Sequence, residues 1–287
     1  MEPELLCRLD PTLTLDEARQ LYTFDSFSGF IAAFKAAVRR LQTPEHYAIA
    51  AESLFARQAA LGIEYSEVIF SAGVVLWKGQ SLDETWAALR ETSARAPLEV
   101  RWIVDVVRQF GGDPAEQVAA WAASHAAEGI VAFGVGGDET ARPLREFART
   151  VAMAREAGLR FTPHAGETST ARSVWEAVEM GADRIGHGIR AVEDPALLEI
   201  LRERSIALEV CPTSNVRTGA VASIEAHPLR ALFDAGVPIT LNSDDPGLFD
   251  TDLAREFAVA RDVLGFSDGE LRTIANNAMR YGFQRAR

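Results

Sequence analysis

Short β-branched or apolar runs alternate with longer amphipathic stretches from residue 65 onward, and few folds accept such a pattern. The strand candidates are 66–72 (SEVIFSA), 100–107 (VRWIVDVV), 130–135 (IVAFGV), 159–164 (LRFTPH), 183–187 (DRIGH), 205–210 (SIALEV) and 237–242 (VPITLN). The stretches between them open with helix-capping chemistry: Ser81 with Glu84, Asp113 with Pro114 and Glu116, Asp194 with Pro195, and Ser267 with Glu270. Gly62, Gly158, Gly181 and Gly236 close helices just before a strand. Strands separated by helices pair in parallel, so the pattern predicts an α/β fold, a (β/α)8 barrel of the TIM type.

The first strand of that barrel is the one the sequence does not show. Before residue 65 the signals are helical: Thr14 to Glu17 is a capping box, Phe27, Phe30, Ile31, Phe34 and Val38 form one apolar stripe, and Thr43-Pro44 opens a third helix. "ELLCRLD" is a short apolar piece flanked by charge, a poor barrel strand. The expectation is one barrel domain over 1–287, incomplete at its first strand, with helices over 12–62 ahead of the repeats.

Composition limits the partners. Asp and Glu number 41 against 29 Lys and Arg, and a net charge of -12 repels nucleic acid; small neutral or cationic substrates suit it better. The two cysteines, Cys7 and Cys211, lie far apart and argue against a disulfide framework and a cysteine-based zinc site. The opening residues lack a signal-peptide pattern and no uncharged stretch of ~18 residues follows, so a cytoplasmic protein without membrane contact is expected. The sequence assigns no oligomeric state.

Active sites of such barrels collect at the C-terminal ends of the strands. Three strand ends carry reactive side chains: His164 with Glu167 three residues later, His187 in "RIGHG", and Asp244 with Asp245 in "NSDDPG". Two neutral imidazoles and a carboxylate suit a zinc-like ion, and a further carboxylate can transfer protons. Adjacent Asp244 and Asp245 point different ways on an extended chain, so one can bind metal while the other faces substrate. Taken singly, a strand-end histidine is an ordinary hydrogen-bonded residue and "DDPG" an ordinary turn; their joint placement is the signal. Gly137, in "AFGVGGDE", serves equally as a tight turn or as a place where a backbone N–H approaches a bound ring, since its glycines do not fit a dinucleotide fingerprint. Leu76 and Trp77 read as a pocket wall or as buried packing, and His46, His125 and His227 as surface or packing residues.

"GGDE" (136–139), "HAGE" (164–167), "RIGHG" (184–188), "CPTSN" (211–215) and "NSDDPG" (242–247) together resemble the adenosine deaminase family of metal-dependent hydrolases, in family order and across nearly the whole chain. The resemblance implies hydrolytic removal of an amino group from adenosine or a related 6-aminopurine, with adenine and aminodeoxyfutalosine as alternative substrates and ammonia as product. It implies one Zn2+ held by His164 and Asp244, proton transfer to a ring nitrogen by Glu167, and orientation or deprotonation of the attacking water by His187. Asp245 and the backbone at Gly137 would hold the edge of a purine nucleoside or base.

One departure matters. The family's first strand supplies a His-x-His pair of zinc ligands, and no such pair occurs in this sequence; Leu6 and Arg8 stand in the nearest echo of it. The expectation is a chain trimmed at both ends, with weakened metal retention. A catalytically silent nucleoside-binding or partner-binding relative is the competing expectation.

Overall fold

The computed structural model describes residues 1–283, and its strands are Tyr65–Phe70 (β1), Glu99–Val107 (β2), Ile130–Gly136 (β3), Arg160–Phe161 (β4), His164–Ala165 (β5), Arg184–His187 (β6), Ala207–Val210 (β7) and Ile239–Leu241 (β8). All pairings are parallel, in two sheets of order β1-β2-β3-β4 and β5-β6-β7-β8. Phe70 pairs with Val104, Val106 with Val135 and Leu208 with Ile239, and the β2–β3 register shifts once, between Trp102 and Ile103. β4 and β5 are two parts of the run expected over 159–164. Pro163 lies between them and has no N–H to give a ladder. Main-chain bonds from Thr162 N to Phe133 O and from Gly186 N to Pro163 O carry the sheet across the break.

Seven strand runs result, and among the described residues no ladder joins β8 to β1. "ELLCRLD" lies in a helix, Pro3–Leu9, because Pro3 presets the first turn and Glu4 complements its positive end. The helix Phe27–Val38 buries Ala33 and Ala37, while Phe30 stacks on Phe249 with ring centroids 5.1 Å apart. The N-terminal helices therefore brace the segment that follows β8. Full capping boxes form at Thr14 with Glu17 and at Ser267 with Glu270, Ser81 accepts from Glu84 N without the reciprocal bond, and Asp194 accepts from Ala196 N. Asp113 does not cap: its helix opens at Gly112, after Gly111 turns the chain at φ +84, leaving Asp113 within the first turn.

Every residue of β3 is buried, as a parallel strand covered on both faces requires. Outside the barrel, Phe70, Trp86, Trp102 and Trp121 pack edge to face or stacked at 5.9–6.4 Å. Inside it, Arg184 of β6 donates to Glu209 at 2.6 Å and to Glu67, and to the carbonyl of Tyr281 at 2.8 Å. Replacing Arg184 by leucine leaves two largely buried carboxylates, Glu67 and Glu209, without their cation. The expected cost is about 3–5 kcal/mol, measured as a lower denaturant midpoint at unchanged slope; an unchanged midpoint would show that the triad is neutral for stability. Among the described residues, no helix is long and apolar enough to cross a membrane.

Candidate active site

The strand ends of the second sheet converge. His164 is in β5, His187 ends β6, and Asp244 follows β8. His187 and Asp244 both adopt the left-handed backbone, at φ 59 and φ 53, a costly conformation for residues with side chains. It swings each side chain off its strand axis toward the same point. His187 Nε2 lies 3.6 Å from Glu167 Oε2 and 3.9 Å from Asp244 Oδ2, and the rings of His164 and His187 are 5.2 Å apart. Four of the six residues singled out in the sequence thus meet.

Glu167 reaches this point because Gly166 turns the chain at φ +72, where a Cβ would stand 2.4 Å from Val174 Cγ2. Burial pushes the Glu167 carboxyl above its ordinary range, helped by the nearby Asp244 charge and opposed by His187. His164 is pushed down by burial and by His187, which keeps its imidazole neutral, and its buried Nδ1 has no hydrogen-bond partner. For His187, burial opposes the charged ring but the carboxylates of Glu167 and Asp244 outweigh it, and the net shift is upward.

Asp245 follows directly and stands at the N-cap position of the helix Pro246–Phe249 without a side-chain capping bond; burial and the Asp244 charge lift its carboxyl to about 7. Gly137 stands at the end of β3 at φ +86, where a Cβ would come within 2.2 Å of Gln109 Oε1. Its neighbour Gly136 lies against His164, since a Cβ there would be 3.6 Å from His164 Nδ1. Trp77 is 48% exposed and stacks on Phe110 at 5.7 Å, beyond the ends of β1 and β2, so it is a rim residue rather than a buried wall.

The residues that hold this arrangement were not assigned from sequence. Glu139 accepts from the backbone N–H groups of Gly166 at 2.8 Å, Glu167 at 2.7 Å and Thr168 at 3.1 Å, and from the Ser173 hydroxyl. Burial pushes its carboxyl up, but these bonds outweigh it and hold it ionised. Arg108, 1% exposed, donates to the His164 carbonyl at 2.6 Å. From "CPTSN" and just beyond it, Ser214 donates to Asp244 Oδ2 at 2.6 Å and Thr218 to Glu167 Oε1 at 3.1 Å. His227, expected at the surface or in plain packing, is 4% exposed and hydrogen-bonded to Asn215.

Ligand atoms of His187, Cys211 and Asp244 lie within 4.8 Å of one another. Burial, with the surrounding carboxylates, pushes the Cys211 thiol well above its ordinary range and favours its protonated form while no cation is bound. Neutral imidazoles and a carboxylate, one imidazole with an unpartnered nitrogen, fit a zinc-like ion.

Asp105 of β2 was also missed. It is 6% exposed, its Oδ1 has no partner, and burial lifts its carboxyl to about 7. An unfolded aspartate titrates near 3.9. The folded state therefore keeps a proton that the unfolded chain releases, and stability falls as pH rises between about 4 and 7. Asp105→Asn removes this loss: the metal-free variant is expected to gain on the order of 4 kcal/mol over its parent at pH 8 and little at pH 4. Urea unfolding at both values checks it, and equal gains at both would refute the titration.

Three comparisons bear on this geometry. The sequence profile described as adenosine deaminase matches residues 9–287. An adenine deaminase of Sinorhizobium medicae is 35% identical over 301 residues, covering 98% of this chain and 93% of that protein. An aminodeoxyfutalosine deaminase of Streptomyces coelicolor is 36% identical over 281 residues, covering 96% of this chain and 72% of that protein. The crystal structure of an adenine deaminase from Arthrobacter aurescens superposes with a TM-score of 0.92 at 29% identity, covering 99% of this chain and 90% of that one. Strand-end geometry, profile and relatives agree, and the chain belongs to the adenosine deaminase family of metal-dependent hydrolases.

Proposed function

We propose that the chain hydrolyses the amino group from a 6-aminopurine compound and releases ammonia, as the names of its relatives suggest for them. The observation that carries the reading is the approach of Glu167 and Asp244 to within 3.9 Å of His187 Nε2, beside His164. His164 and Asp244 would hold the metal, a zinc ion in this reading. A zinc-like ion held there supplies Lewis-acid activation of water, moving its pKa toward ~7.

The remaining roles belong to side chains. Glu167, whose burial favours its protonated form, delivers a proton to the ring nitrogen next to the carbon under attack. His187 holds the attacking oxygen in line with that carbon. Asp245 and the backbone at Gly137 bind the purine edge, and Trp77 with Phe110 flanks the entrance. Substrate choice lies between adenine and a nucleoside that carries it. A cytoplasmic setting belongs to this reading, and both cysteines are free thiols.

The silent, binding-only reading has one observation in its favour: no His-x-His pair stands in the sequence to complete the ligand set. Elemental analysis for zinc, run beside ammonia release from adenine, adenosine and aminodeoxyfutalosine, separates the two. Zinc near one per chain with ammonia from one of the three supports the hydrolase. Folded, zinc-supplemented protein that binds these compounds without releasing ammonia is the binding-only relative.

A further inference from the structure

The side chains of Asn215 and His227 reach the reacting groups through His187. Asn215 is fully buried, His227 is 4% exposed, and both lie behind His187 as seen from Glu167 and Asp244. Three contacts join them in series. The main-chain N–H of Leu229 donates to His227 Nδ1 at 3.1 Å, His227 Nε2 is 3.1 Å from Asn215 Oδ1, and Asn215 Nδ2 is 3.0 Å from His187 Nδ1.

The direction of this chain follows from its first member. A backbone amide can only donate, so His227 Nδ1 must accept. A neutral His227 then carries its proton on Nε2 and donates to the Asn215 carbonyl oxygen. That turns the Asn215 amide NH2 toward His187, whose Nδ1 accepts and whose proton must be on Nε2. Reversing the Asn215 amide would set its NH2 against the His227 Nε2–H, two buried donors in contact, at a cost of about 1–3 kcal/mol. Burial, and secondarily His187, lowers His227 to about 4, in keeping with a neutral ring.

We propose that Asn215 and His227 are positioning residues that fix the tautomer of His187, so that it presents an N–H rather than a lone pair to the space between Glu167 and Asp244. His187 then grips an oxygen by donation and has no free ring nitrogen with which to accept a proton from it. This deepens the proposed function and its kinetic consequence rests on that reading; the tautomer itself does not.

The test is selective 15N labelling of histidine in metal-free protein at pH 8, with signals assigned by their loss in His187→Gln and His227→Gln. Ring-nitrogen shifts separate Nδ1–H, Nε2–H and doubly protonated imidazole. The expected result is Nε2–H for both His187 and His227. In Asn215→Asp, whose carboxylate accepts from both sides, His187 is expected to gain a proton at Nδ1 while His227 is unchanged. An Nδ1–H or doubly protonated His187 in the parent overturns the proposal, and so does a His187 signal unmoved in folded Asn215→Asp. If that variant does not fold, the parent spectrum alone decides. In zinc-supplied protein Asn215→Asp is expected to lower kcat by about 10²-fold or more at nearly unchanged KM. A parent that shows the expected tautomers but releases no ammonia keeps the relay and loses the proposed function; the reverse result loses the relay alone.

Discussion

Glu167→Gln is expected to cut ammonia release by about 10²- to 10⁴-fold, the range spanned by a positioned proton donor, and to leave the protein at least as stable as before. Both halves follow from one environment. The carboxyl is 6% exposed, accepts from Thr218 and lies 3.6 Å from His187, and burial holds it above its ordinary range. A glutamine keeps the shape and the oxygen that Thr218 needs, but has no acidic proton to give. Because the folded state disfavours the ionised carboxylate, the neutral amide relieves a burial penalty rather than adding one. Steady-state ammonia release with zinc supplied, beside a thermal melt, tests the pair. Turnover within a few fold of the parent would remove Glu167 from proton transfer, and a fall in melting temperature would mean that its role is structural.

Glu139→Gln is expected to act on the same turn from behind. Glu139 ties Gly166, Glu167 and Thr168 together through their N–H groups and adds the Ser173 hydroxyl. An amide offers one oxygen where the carboxylate offers two. Its NH2 must face either the Gly166 N–H or the pair from Glu167 and Thr168. At least one buried donor is then left unpaired and the remaining bonds lose their charge assistance, for a cost of about 3 kcal/mol. At this chain length the midpoint should fall by roughly 6–12 °C. Turnover should fall with it, since the turn that aims Glu167 is the one released. A melt within 2 °C of the parent, or full activity at a temperature where both proteins are folded, would show that the turn holds itself.

The strand ends were legible because chemistry and periodicity coincide there: β-branched runs locate the strands, and a polar residue where each run stops is conspicuous. His164, His187 and Asp244 were found this way, although nothing local announces the left-handed backbone at the last two. The supporting residues leave no such mark. Glu139 acts on main-chain groups 27 to 29 residues downstream, a distance that no motif encodes. His227 precedes a proline in an unremarkable turn, and its partner Asn215 is joined to it only by folding. Asp105 stands inside an apolar strand, where the alternation records a break but not what the carboxylate meets. The Asp113 cap was misread because Gly111 starts the helix earlier than the Asp-Pro pair suggests.

Pro163 divides the molecule along a seam with a bearing on how it can change. His164, His187 and Asp244 hang from the sheet on one side of it, whereas Gly137, Phe110 and Trp77 belong to the sheet on the other. In the proposed reading the reacting groups and Asp245 thus share one ladder while the Gly137 contact and the rim belong to the other, and few main-chain bonds stitch the two together. On that reading, drift at the rim formed by the first sheet would retune which purine is admitted while the second sheet keeps its reactive geometry. A single scaffold of this kind can supply deaminases for a free base and for a bulkier nucleoside without rebuilding the chemistry.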